Sequence, residues 1–210
     1  MYFSVGATEW RAELSVKHSK FLAFCSSVSD EEQAEEFVRS IKKRYTDATH
    51  APYAYLLGER ADKSRASDDG EPSGTSGVPI LESIKKAGLT FTAVVVVRYF
   101  GGIKLGTGGL ARAYGDAAEA AISLADRKAF ERCVICEISC DYPLISVVQN
   151  QVFSFGGSFL GADYSSGAVL TAAVPCVKKV SFFTALADAS SGKATITERE
   201  EKYCEVKYVG

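Results

Sequence analysis

The chain contains 210 residues, 47% of them hydrophobic, and its formal net charge at pH 7 is −2. This length is typical of one or two domains, and the hydrophobic content is sufficient for a buried core. Proteins that coat nucleic acid nonspecifically are strongly basic, so the charge balance excludes that class and leaves only a local basic site.

Nothing in the sequence predicts a membrane or secreted protein. No apolar run reaches the ~18 residues that a transmembrane helix needs, and the N-terminal residues lack the basic and apolar regions of a secretory signal. The six cysteines are therefore expected to be reduced thiols in the cytoplasm. Cys133 and Cys136 lie in an alternating stretch, where residues three apart point to opposite faces, so we interpret them as core residues and not as metal ligands.

The sequence up to residue 128 predicts a β/α domain. Apolar periodicity, strand formers and capping residues define its elements. We predict strands at 2–5, 12–16, 21–24, 50–57 and 91–97, and helices that begin at Ser29, at Thr75 or Ser76, and at Leu110. The strand 91–97 is apolar on both faces, which is typical of a central strand that is covered on both sides.

A change of character at residues 126–132 indicates a linker before a second domain. We predict strands at 134–140, 156–164, 168–174 and 195–208, helices at 143–153 and 178–189, and a hairpin turn at Ser165-Ser166-Gly167. The order βαββαβ is that of a ferredoxin-like sandwich. The predicted class is therefore α+β, with domains at 1–128 and 133–210.

Two segments of the first domain are unusual in composition. The basic glycine-rich segment, residues 98–109, contains five glycines, and its charged residues, Arg98 and Lys104, are both positive. The acidic segment, residues 67–77, contains Asp68, Asp69 and Glu71. Glycine loses more conformational freedom on folding than any other residue, so such segments usually have special backbone angles or approach a ligand closely.

The glycine pattern does not predict a nucleotide-binding fold. Residues 106–111 match the dinucleotide fingerprint G-x-G-x-x-A, but residues 98–105 separate this match from the preceding strand. The acidic residue required about 20 residues further on is also missing. A Walker A loop needs Gly-Lys-Ser/Thr, and Lys104 does not fit it.

The basic glycine-rich segment predicts an anion site instead. Thr107 can cap the following helix, whose free N–H groups at Gly108, Gly109 and Leu110 would attract negative charge together with the helix dipole.

Positive side chains add whole charges to this end of the helix, and Tyr99 or Phe100 could stack on a base. The ligand would be a phosphate, either of a small ester or of a nucleic-acid backbone. The predicted binding residues are Arg98, Tyr99, Lys104, Gly106, Thr107, Gly108, Gly109 and Arg112.

The role of the acidic segment is open at this point. Asp68, Asp69 and Glu71, with Ser73, either share a ligand with the basic segment or neutralise its charges. Together with His50 they could also supply acid–base groups or ligands for a hard metal. No known catalytic motif accompanies them, so we assign no catalytic residue and predict no cofactor or metal.

Three stretches resemble the signature of the IMPACT/YigZ family: residues 49–55, 66–75 and 98–114. The likeness covers residues 15–125, and the remainder is similar to the C-terminal domain of bacterial members. The resemblance implies a ribosomal-protein-like β/α fold, similar to domain IV of elongation factor G, followed by a ferredoxin-like domain. Eukaryotic relatives act in translational control through a separate extra domain.

We therefore expect a cytosolic, non-enzymatic binding protein that is linked to translation regulation. Its partner would be RNA, the ribosome or a translation-related protein, and no membrane. The alternative is a hydrolase or transferase that acts on a small phosphorylated substrate, with or without the assistance of a metal ion. The basic segment would carry the first function, whereas the acidic segment would be equally important for the second.

Overall fold

The computed structural model describes residues 1–165 and 167–206. The chain divides into two compact units, residues 2–128 and residues 129 onwards, with Met1 grouped with the latter. Both units combine helices and strands, which confirms the predicted α+β class. No helix among the described residues has the length and apolar character needed to cross a membrane.

The first unit is an antiparallel sheet with helices on both faces. Its strands pair in the order β2-β3-β6-β4-β5. Its elements are β1 (Tyr2–Val5), β2 (Trp10–Val16), β3 (Ser19–Ser27), α1 (Glu31–Arg44), β4 (Tyr53–Leu57), β5 (Lys63–Ser67), α2 (Gly77–Lys86), β6 (Thr92–Tyr99) and α3 (Thr107–Leu124). The short β1 is attached through Ser4, whose Oγ donates to the carbonyl oxygen of Phe91 at 3.0 Å.

The central strand β6 is buried on both faces, as the sequence predicts. Val94 and Val96 pack in the core that contains α2 and α3, whereas Val95 and Val97 pack on the face that contains α1. Side chains alternate along a strand, so consecutive residues at its end belong to opposite faces.

Helices α2 and α3 lie parallel, side by side on one face of the sheet. Ser83 of α2 donates its Oγ to the carbonyl oxygen of Gly115 in α3 at 3.2 Å, and Lys86 one turn later pairs with Glu119 at 3.0 Å. Both helices begin at the same end of the sheet, because α2 starts against Ser67 at the end of β5 and α3 follows the end of β6. The acidic and basic segments are therefore brought to one end.

The second unit has the predicted βαββαβ order. Its strands pair antiparallel in the order β10-β7-β9-β8, which is the arrangement of a ferredoxin-like sheet. Its elements are β7 (Arg127–Cys140), a 3-10 turn (Tyr142–Leu144), α4 (Ile145–Ser154), β8 (Ser158–Asp163), β9 (Ala168–Pro175), a 3-10 turn (Cys176–Lys178), α5 (Lys179–Ala189) and β10 (Thr195–Val206).

The predicted linker at 126–132 is wrong, because most of it belongs to β7. Ala129 is buried and pairs with Val206 of β10, so this stretch is part of the sheet. The predicted hairpin turn includes Ser166, and the predicted last strand includes Lys207 and Tyr208; these three residues lie outside the described part of the chain.

The cysteines of β7 behave as core residues. Cys136 packs in the helix-facing core and Cys133 in the cluster on the opposite face, as the alternation predicts. Burial raises the pKa of Cys133 to about 12 and that of Cys136 to about 11. Such thiols stay protonated at neutral pH and are poor metal ligands and nucleophiles.

Candidate functional site

Arg98, at the end of β6, is an interior residue. It is 6% exposed, and its Nη1 donates to Glu71 Oε1 at 2.6 Å. Glu71 is 8% exposed, and the same oxygen accepts a hydrogen bond from the hydroxyl of Tyr114 in α3 at 2.7 Å. This buried ion pair joins the acidic segment, the central strand and α3.

Aromatic rings enclose the same arginine. Its guanidinium carbon lies 5.6 Å from the ring centroid of Phe21 and 5.5 Å from that of Phe100. Phe21 in turn packs edge-on against Tyr114 at 5.1 Å. Two effects raise the pKa of the Tyr114 hydroxyl well above its usual range: burial, which is the larger, and the hydrogen bond to Glu71. This hydroxyl therefore stays protonated and donates to Glu71.

One donor of Arg98 has no partner in the described structure. Its Nε is buried and makes no hydrogen bond, and its Nη2 reaches Ser19 Oγ only at 3.5 Å. A buried donor without a partner costs about 1–3 kcal/mol. Arg98 was predicted to contact a phosphate at the surface. It is not available for that contact, because its charge is balanced by Glu71 and its side chain is buried.

Tyr99, the second predicted contact residue, does not lie on the same face of the sheet as Arg98. It follows Arg98 on the strand and therefore packs on the opposite face, in the cluster beside α1. Its hydroxyl donates to Asp47 at 2.9 Å. Phe100 is the aromatic residue of this pair that lies on the same side as Arg98, and it is 49% exposed.

Asp68 caps the N-terminus of α2. Its Oδ1 accepts hydrogen bonds from the backbone N–H groups of Ser76 and Gly77 and from the Ser76 hydroxyl, and its Oδ2 accepts from the N–H of Gly74. Burial alone would raise the pKa of Asp68, but these hydrogen bonds outweigh it and lower the pKa below its ordinary value.

Asp69 ties the acidic segment to the loop before β4. Its carboxylate accepts from the N–H of Ala51 at 2.8 Å and pairs with Lys42 of α1. Its carbonyl oxygen accepts from His50 Nδ1 at 2.9 Å, and its φ of 45° places it in the left-handed region that Asp tolerates. His50 is thereby a loop-bridging residue in this structure.

All three carboxylates of the acidic segment therefore have partners within the first unit. Asp68 accepts hydrogen bonds from backbone N–H groups of its own segment. Asp69 binds Lys42 and the loop before β4, and Glu71 neutralises Arg98. Ser73 is exposed beside them. Among the described residues, no group of three or more His, Cys, Asp or Glu side chains is placed to hold a metal ion.

The N-terminus of α3 differs from that of α2. Gly106, with φ of 75°, is the N-cap, and no side chain caps the helix, so the prediction that Thr107 caps it is wrong. The N–H of Leu110 already donates to the Gly106 carbonyl at 2.9 Å, which leaves Thr107, Gly108 and Gly109 as the residues whose N–H groups lack an intrahelical acceptor.

Lys104 precedes this open helix end by two residues, Arg112 lies in the second turn of α3, and both are exposed. Neither forms an ion pair within the described residues, in contrast to Lys42, Lys86 and Arg98. Arg112 lies four residues after Gly108 and so on the same helix face, and helical side chains lean towards the N-terminus. A Cβ at Gly108 would have no neighbour within 4 Å, so the space beside the first turn of the helix is open at this position.

Two residues beside the basic glycine-rich segment were missed by the sequence analysis. Lys17 and His18 form the two-residue turn between β2 and β3 and are both exposed. A Cβ at Gly101 would lie 2.1 Å from the carbonyl carbon and oxygen of His18, so the turn packs directly against the basic segment. The available signal was the short gap, residues 17–20, between the predicted strands 12–16 and 21–24, because gaps of this length are typical of hairpins.

These features define a two-domain α+β protein with a basic, open helix end on its first unit. Residues 17–122 match the family model described as the Impact N-terminal domain, and residues 138–193 match a domain of unknown function (DUF1949).

Relatives cover nearly the whole chain. The chain is 38% identical to IMPACT family member YvyE of Bacillus subtilis, over 92% of this chain and 89% of that protein. It is 32% identical to IMPACT family member YigZ of Escherichia coli, over 89% and 92%. A solved structure described as that of a hypothetical protein has a TM-score of 0.59 and 30% identity, and it covers 96% of this chain and 100% of its own. The chain belongs to the IMPACT family.

Proposed function

We propose that the protein is a cytoplasmic, non-enzymatic binding protein that contacts RNA, either free or in the ribosome, and thereby acts in translation. The contact surface consists of Lys104, Arg112 and the N-terminal N–H groups of α3. The phosphate backbone of RNA is the ligand, and translation-related proteins would associate through the same RNA.

The observation that carries this proposal is the absence of an internal partner for Lys104 and Arg112. Both are exposed beside a helix end without a capping side chain, and neither forms an ion pair within the described residues. Two unpaired cations and free N–H groups at one end of a helix suit a phosphate. The cytoplasmic location is supported by the six cysteines, all of which have free thiols.

The alternative, an enzyme that acts on a small phosphorylated substrate, has less support. It requires Asp68, Asp69 and Glu71 to be free for catalysis or metal binding. Asp68 instead receives four hydrogen bonds from its own segment, Asp69 receives two contacts, and Glu71 is enclosed with Arg98 and Tyr114. Each carboxylate has a structural role that substrate binding would disrupt.

The test compares Lys104→Ala with Arg112→Ala, made together, against the unaltered protein. We expect the double variant to bind oligouridylate more weakly and to flatten the salt dependence of its affinity by about 1.4, since each phosphate contact on a single strand contributes roughly 0.7. Fluorescence anisotropy at several salt concentrations measures both quantities.

The matched control is Arg60→Ala with Lys63→Ala. These residues are also exposed and unpaired within the described structure, but they lie at the opposite end of the sheet, in and after the turn from β4 to β5. The control removes the same charge and should leave the salt slope unchanged. Equal effects of the two double variants, or no binding of RNA by the unaltered protein, would disprove the proposal.

A further inference from the structure

Phe100 is a large apolar side chain at the surface, with 49% of its area exposed. The buried guanidinium of Arg98 lies beneath one face of its ring, 5.5 Å from the centroid. Arg98 is itself held by its ion pair with Glu71 and lies over the ring of Phe21. The ring of Phe100 is therefore held in place from below, and its outer face is a flat aromatic surface in solvent.

The hairpin turn Lys17–His18 packs against Gly101, the residue after Phe100. Both residues have positive φ, 45° and 67°, as two-residue turns between paired strands require. The contact of the His18 carbonyl with Gly101 places the turn against the backbone that immediately follows Phe100. Lys17 is exposed and has no ion pair in the described part of the chain, so its charge is available to a ligand.

Positive charge thus lies near Phe100. Lys17 belongs to the turn that packs against Gly101, the residue after Phe100, and Lys104 follows Phe100 by four residues, shortly before α3 begins. An exposed aromatic ring with cationic residues near it is an arrangement that suits a single strand, because bases stack on the ring while the neighbouring phosphates contact the cations. In a duplex the faces of the bases are covered by their neighbours, so a base could not stack on the ring and contact would come from phosphates and 2′-hydroxyl groups.

We propose that this surface binds single-stranded RNA in preference to duplex RNA, with one base stacked on Phe100 and Lys17 as a second backbone contact. The inference rests on the proposed function, since it names the class of RNA that the same site takes.

The test measures the affinity for single-stranded oligouridylate and for its duplex with oligoadenylate by fluorescence anisotropy. The unaltered protein should bind the single strand more tightly. Phe100→Leu should lower single-strand affinity roughly tenfold, in the range found for loss of one stacked base, and leave duplex affinity unchanged. Phe100→Tyr keeps the ring and should bind as the unaltered protein does.

Lys17→Ala should flatten the single-strand salt slope by about 0.7, whereas the control Lys63→Ala should not change it. If Phe100→Leu binds the single strand normally while the Lys104 and Arg112 double variant does not, the inference is wrong and the proposed function stands. Equal binding of both RNA forms by the unaltered protein has the same meaning. If neither RNA binds, both proposals are wrong.

Discussion

Arg98 and Arg112 come from the same sequence signature, yet the fold uses them in opposite ways. Arg98 is enclosed by Phe21, Phe100 and Glu71 and holds three elements together. Arg112 is exposed, has no ion-pair partner in the described structure and lies beside an open helix end. The comparison shows that a basic residue in a signature can be a structural residue, and that its burial and its partner decide which role it has.

The two environments also differ in energetics. A buried ion pair loses the hydration of both charges, so the removal of one partner leaves an uncompensated charge in the interior. An exposed arginine keeps its hydration and is available to a ligand. Mutations should therefore separate the two regions: changes around Arg98 should affect stability, and changes around Arg112 should affect binding.

The largest effect is expected for Glu71→Ala, which leaves the Arg98 charge and the Tyr114 hydroxyl without their shared acceptor. We expect the free energy of unfolding of the first unit to fall by about 3–5 kcal/mol. Urea unfolding followed by tryptophan fluorescence measures this value, because the single tryptophan, Trp10, lies in β2 of this unit.

The matched control is Arg112→Ala, which should change stability by no more than about 0.5 kcal/mol. Replacement of both buried charges, Glu71→Leu with Arg98→Met, should cost less than Glu71→Ala alone, since no unpaired charge remains. A loss in Glu71→Ala as small as that in Arg112→Ala would contradict the assignment of Arg98 to the interior.

The sequence predicts the elements well but not the roles of the charges. Alternation and apolar runs identify β6 and the βαββαβ order, because these patterns depend on local geometry. Whether Glu71 reaches Arg98 depends on the path of a glycine-containing loop, which local propensity does not determine. The linker prediction at 126–132 was wrong for a similar reason. The first residues of β7 are mostly charged, and local composition alone does not distinguish such a stretch from a linker.

The second largest loss of stability is expected where the basic segment contacts the Lys17–His18 hairpin turn. Gly101→Ala would place a Cβ 2.1 Å from the backbone of His18, and backbone atoms cannot yield as a side chain can. We expect a loss of about 3 kcal/mol, at the upper end for overpacking. Gly108→Ala, where the space is open, should cause no loss, because alanine is the better helix former.

Urea unfolding of both variants checks this pair. Comparable stabilities of the two variants would mean that the hairpin turn does not pack against Gly101. The result matters for the surface as well as for the fold, because this contact positions Lys17 relative to Phe100.

The smallest of these effects is expected for Asp68→Asn. An amide has one acceptor oxygen in place of two, and the charge that strengthens the hydrogen bonds to the N-terminus of α2 is lost, so we expect a cost of about 2 kcal/mol at pH 7. RNA affinity should not change, because the α3 end is untouched. This outcome separates the capped helix end from the open one.

The pH dependence gives the sign of the Asp68 contribution. Its pKa is lowered in the folded state, because the hydrogen bonds from Gly74, Ser76 and Gly77 outweigh the effect of burial. The stabilisation is therefore fully present above the unfolded value of roughly 3.9 and is lost as the pH falls through the folded value. The stability difference between the unaltered protein and Asp68→Asn should be constant from neutral pH down to about pH 5 and should shrink below about pH 4. Urea unfolding across this range measures it, and a difference that grows on acidification would show that the carboxylate of Asp68 is not the stabilising form.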